Sequence, residues 1–65
     1  MVSLVVETFE TKRTFPIVVH TFNGKTKTEA MGYFRAHLKT DSFLRGCTET
    51  GYYGLIPCRV SIYWK

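Results

Sequence analysis

Thr26-Lys27-Thr28-Glu29-Ala30-Met31-Gly32-Tyr33-Phe34-Arg35-Ala36-His37-Leu38-Lys39-Thr40 is the stretch that decides the fold. Its opening fits a capping box, with Thr26 as N-cap and Glu29 three residues later reaching back to it. Placed at about 100° intervals, Tyr33, His37, Ala30, Phe34, Leu38 and Met31 fall in one arc of roughly 160°. Arg35, Lys39, Thr28, Gly32 and Ala36 occupy the other side. This is a helix with one apolar stripe, ending near Thr40, and the stripe needs a surface to bury itself against.

Strands on either side supply that surface. Downstream, Cys58, Val60, Ile62 and Trp64 alternate with Arg59, Ser61, Tyr63 and Lys65, the period of a half-buried strand. Upstream, Val2 to Phe9 reads as a first strand and Thr14 to Phe22 as a second, joined by the polar Glu10-Thr11-Lys12-Arg13. Strands so close in sequence pair as an antiparallel hairpin. Pro16 lacks an amide donor and belongs near the strand start or on an edge. Asn23-Gly24 ends the second strand.

Between helix and last strand, Asp41-Ser42 caps a short further turn through Phe43, Leu44 and Arg45, which Gly46 stops. Cys47 to Thr50 is read as a short strand, and Gly51-Tyr52-Tyr53-Gly54 as a turn carrying two exposed aromatics. The order is then β-β-α-(β)-β. The predicted class is α+β, a single helix packed on a small antiparallel sheet, with Cys58, Val60, Ile62 and Trp64 meeting Phe34, Leu38 and Met31. Residues 1–65 are read as one domain.

Composition suits that reading. Of 65 residues, 45% are hydrophobic and 15% aromatic, which lets a chain this short build a core. The net charge of +4 favours acidic partners but also falls within the range small domains carry for solubility. Two cysteines are too few for a disulfide-framed secreted domain. The apolar start, Met1-Val2-Ser3-Leu4-Val5-Val6, meets Glu7 at once and has no basic leader or cleavage site. No segment approaches the roughly 20 apolar residues of a membrane span. The expectation is a cytoplasmic protein with free thiols and no membrane partner.

The chemistry-bearing residues are sparse. A two-layer fold leaves one sheet face uncovered, and Arg59, Tyr63 and Lys65 belong there. They are joined by Val18, His20 and Phe22, or by Ile17, Val19 and Thr21, depending on register. Such a patch marks an interface, with Tyr52 and Tyr53 as further partner-binding candidates. Aromatics among Lys and Arg also suit stacking of single-stranded bases. Lys25, Thr26 and Lys27, at the helix N-terminus, form a candidate anion site. Gly24-Lys25-Thr26 resembles the end of a phosphate-binding loop, but Val19 stands where that motif requires its first glycine.

Cys47, Cys58, His20 and His37 would make a four-ligand zinc set, yet each comes from a different segment, whereas zinc ligands normally come in close pairs. Close approach of the two cysteines, which flank a possible hairpin, is favoured over a metal site, but the sequence leaves open whether they meet. A Cys-His pair, or a histidine as general base, is the only catalytic option. The acids Glu7, Glu10, Glu29, Asp41 and Glu49 are scattered, and so small a domain has little room for a pocket of about 300–1,000 Å³. We therefore expect no enzyme, no cofactor, no resident metal and no small-molecule substrate. The expected activity is protein–protein interaction, by self-association or by inhibiting a partner; single-stranded nucleic-acid binding is the alternative.

Overall fold

The computed structural model of the protein spans Met1 to Lys65. The central helix forms where its apolar stripe placed it. Helix α1 covers Lys27–Thr40, Thr26 is its N-cap, and the Thr26 hydroxyl accepts from the Glu29 amide at 3.2 Å. The reciprocal half of the capping box is replaced, because the Glu29 carboxylate accepts from the Tyr33 hydroxyl at 3.0 Å. That bond, and the carboxylate charge next to it, raise the Tyr33 phenol above its ordinary pKa. Tyr33 stands half-exposed rather than in the buried stripe.

Four strands make one antiparallel sheet: β1, Val2–Glu10; β2, Val18–Gly24; β3, Tyr52–Tyr53; and β4, Ile56–Trp64. Their spatial order is β2-β1-β4-β3, so β1 lies between its hairpin partner and the last strand. Val5 pairs with Thr21 on one side and Tyr63 on the other; Val6 likewise pairs with His20 and Ile62. The class is α+β, in agreement with the sequence pattern, and the layers number two.

The helical layer contains two helices rather than one. Asp41 ends α1 and caps α2, Ser42–Thr50, with Oδ1 accepting from the Leu44 amide at 2.9 Å. Gly46 was expected to stop this segment, and Cys47–Thr50 to be a strand; both are helical. The stop falls at Gly51, whose φ of 76° gives the left-handed cap that favours glycine. Gly46 serves a different purpose. A Cβ there would meet the Tyr52 carbonyl oxygen at 3.2 Å, so its bare backbone lets β3 return close against the helix. Strand β2 also begins later than expected, at Val18. Thr14 to Ile17 stay in the connection around Pro16, and pairing starts as the Ile17 amide donates to the Thr8 carbonyl at 2.7 Å.

Both helices lie on one side of the sheet, α1 over β1 and β2, α2 over β3 and the start of β4. Between them sit Leu4, Val6, Ala30, Phe34 and Leu44, with Val2, Phe22, Met31, Leu38 and Val60 packed around. Ile62 and Trp64 face the same side but remain 44% and 37% exposed. They were expected in the core; α2 covers only the Cys58 end of β4, and α1 sits too far across to shelter the other end.

Cys47 and Cys58 are joined as a disulfide, Cα atoms 5.6 Å apart, which ties α2 to β4. The expectation of free thiols is overturned, because the fold brings the two sulfurs together. No helix is long and apolar enough to cross a membrane.

Thr8 is fully buried and its hydroxyl has no hydrogen-bond partner. Burying an unpaired hydroxyl costs about 1–3 kcal/mol. Thr8→Val keeps the shape and removes the unpaired group, and should leave stability unchanged or raise it by about 1 kcal/mol in urea denaturation. A loss of stability of that size would mean that the hydroxyl has a partner after all.

Candidate functional site

Alternation along paired strands sorts the sheet residues to two faces. Because Val6 and Leu4 point to the helices, His20, Phe22, Ile62 and Trp64 point there too. The open face therefore takes the other set: Ile17, Val19 and Thr21 from β2 and the residue before it, not Val18, His20 and Phe22. Arg59, Tyr63 and Lys65 stand on the open face as expected. Tyr52, opposite Pro57 in the ladder, joins them. Tyr53 does not: it turns to the helical side, its ring edge-on to Phe43 at 4.9 Å.

On the open face Thr21, Val5 and Tyr63 form one cross-strand row, and Val19, Glu7 and Ser61 the next. Phe9 and Arg59 form a third, the Arg59 guanidinium 4.0 Å over the Phe9 ring. Neighbouring side chains alone bury Val5 and Phe9 here, to 5% and 8% exposure, while Ile17, Val19, Tyr52 and Tyr63 stay about half-exposed. The Tyr63 phenol is pushed above its ordinary pKa, first by partial desolvation and then by the Glu7 carboxylate beside it. The face carries Glu7 between the cations Arg59 and Lys65. It is predominantly apolar, aromatic and nearly balanced in charge.

At the start of α1, two of the three anion-site residues have partners within the chain, while Lys25 is exposed. Thr26 is spent on its cap, and the Lys27 ammonium lies 5.4 Å from the centre of the Trp64 ring. Lys27, Thr28, Met31, Arg35 and Trp64 line a shallow groove of about 250 Å³ between α1 and the exposed end of β4. The remaining basic residues are dispersed over the hairpin turn and the outer helix surfaces.

A third grouping is one that sequence reasoning missed. His20 on β2, His37 in the last turn of α1 and Asp41 at the α1–α2 corner converge. His37 Nε2 donates to Asp41 Oδ2 at 3.0 Å, and His20 Nε2 lies 3.6 Å from the same oxygen. The two imidazoles are 4.5 Å apart, with Phe22 against His37 at 5.4 Å. The Asp41 carboxyl is held below its ordinary pKa. The Leu44 amide contributes most, partial desolvation opposes it, and the two histidines add to the lowering. The four-residue zinc set is overturned, since Cys47 and Cys58 are bonded to one another; the same disulfide removes any Cys-His nucleophile. The signal for the true grouping is the His37/Asp41 spacing of four residues, one helical turn. The capping role of Asp41, equally visible in the sequence, masks it.

Comparison with known protein families, curated proteins and solved structures yields no match.

Proposed function

We propose that this protein acts by binding rather than by catalysis, and that it docks a second copy of itself through the open face of its sheet. The observation that carries this is the row structure of that face: Ile17, Val19, Tyr52 and Tyr63 stay about half-exposed around the buried Val5 and Phe9, on a four-stranded sheet with no helix over it. An antiparallel sheet turned to water normally presents polar residues there. Aromatic residues and arginine are the types enriched in protein interfaces. Two such faces stack at about 10 Å, which allows Glu7 of one copy to meet Arg59 or Lys65 of the other. The molecule is a slab, 37 × 24 × 13 Å between Cα extremes, so this face is one of its two broad surfaces.

Nucleic-acid binding is the weaker reading. A backbone-tracking surface needs its cations together, yet here only Arg59 and Lys65 share the face with Tyr63, Arg59 is already stacked on Phe9, and Glu7 sits between. On compartment, the cytoplasmic reading holds only for the dithiol chain; the bonded form belongs where thiols are oxidised.

Sedimentation over micromolar to millimolar concentration tests the proposal. The protein should dimerise, and Tyr63→Asp should weaken the dimer at least tenfold while the circular dichroism spectrum is unchanged. A monomer throughout, or a dimer indifferent to Tyr63→Asp, would sink it. Saturable binding of a labelled single-stranded oligonucleotide, falling steeply between about 50 and 200 mM salt, would replace it with the nucleic-acid reading.

A further inference from the structure

The grouping of His20, His37 and Asp41 has the make-up of a metal site. Two imidazoles and one carboxylate are ligands of borderline character, suited to zinc and its first-row neighbours rather than to magnesium or calcium. Each residue offers one ligand atom, and the three atoms lie within 4.8 Å of one another. In a tetrahedral zinc site with bonds of about 2.0–2.2 Å, ligand atoms sit about 3.3–3.6 Å apart. Of the two nitrogen–oxygen separations here, 3.6 Å falls in that range and 3.0 Å just below it.

Both Nε2 atoms lie near the same carboxylate oxygen, His37 within hydrogen-bonding distance and His20 just beyond it, so the three donors already converge on one point. The second Asp41 oxygen is occupied by the Leu44 amide, which fixes the carboxylate plane as outer-shell partners do in metal sites. His20, His37 and Asp41 side chains are 25%, 32% and 23% exposed, enough to admit an ion and a water molecule.

We propose that His20, His37 and Asp41 bind one Zn²⁺, leaving a fourth position to water or an exogenous ligand, and so clamp β2 to the corner between the two helices. This stands apart from the open sheet face, which lies on the other side of β2.

Calorimetric titration of the disulfide-bonded protein with zinc sulfate tests it. One ion should bind per chain with a micromolar dissociation constant. His20→Gln and His37→Gln should each weaken binding tenfold or more. Asp41→Asn should do the same with α2 intact, because asparagine is as good an N-cap as aspartate. On the unmutated protein, long-range ¹H–¹⁵N spectra should show the Nε2 resonances of both histidines shifting together on zinc addition. That second measurement does not depend on any variant folding. Absence of saturable binding at millimolar zinc, binding unchanged by all three substitutions, or only one histidine responding would each overturn the proposal.

Discussion

Reduction of the Cys47–Cys58 disulfide should lower the melting temperature by about 10–20 °C. The two cysteines are eleven residues apart. Closing a loop of that size removes unfolded-state entropy worth roughly 2–3 kcal/mol in the chain-entropy model. In a domain of about 60 to 100 residues each kcal/mol moves the midpoint by about 4–8 °C. The total stability of a chain this size is roughly 3–10 kcal/mol, so the loss is a substantial fraction of the whole. The two sulfurs are also core atoms, Cys47 and Cys58 being 4% and 5% exposed, and separating them loosens packing between α2 and β4. Calorimetric scans with and without a phosphine reductant give the answer. A shift under about 3 °C, less than one kcal/mol moves such a domain, would mean that the remaining contacts hold α2 on the sheet unaided.

Leu44→Ala should be the most damaging single apolar truncation on α2, at about 2–5 kcal/mol. Leu44 is completely buried among Leu4, Val6, Ala30 and Phe34, and it is the residue that brings α2 into the same core as α1. Its neighbour Phe43 is only partly buried and packs on the exposed Tyr53 ring. Phe43→Ala should therefore cost about 1 kcal/mol, the scale of one aromatic pair. Urea denaturation of both variants separates the two positions. Equal losses would show that α2 is held by its outer edge and the disulfide rather than by the core.

Much of the architecture was legible because periodicity is a physical consequence of burial. The stripe through Ala30 and Phe34 and the alternation from Cys58 to Lys65 each report a face turned to the core. What was lost lay where one residue serves two needs. Gly46 looked like a helix stop because glycine usually is one; its role is to admit the backbone of β3, a long-range contact with no local trace. Ile62 and Trp64 alternate correctly yet stay exposed, because coverage depends on where α1 crosses the sheet, and no spacing encodes that. Among candidate sites, strand parity put Arg59, Tyr63 and Lys65 on one face. Tyr53 went to the other because a two-residue strand sends adjacent side chains opposite ways. Pairing His20 with Asp41 needed the tertiary fold, since the two lie on separate elements with the whole of α1 between them.

The strand order has a consequence in time. The middle strand, β1, finds one neighbour within a short hairpin, but its other neighbour, β4, lies at the far end of the chain. Local pieces, the β1–β2 hairpin and α1, can form early and still leave Leu4 and Val6 with an open flank. That flank closes only when the distant strand arrives, and the entropy of that closure must be met before its hydrogen bonds repay it. Folding should thus proceed in milliseconds to seconds rather than at the microsecond pace of helical domains. The arrival of β4 beside β1 should be the rate-limiting event.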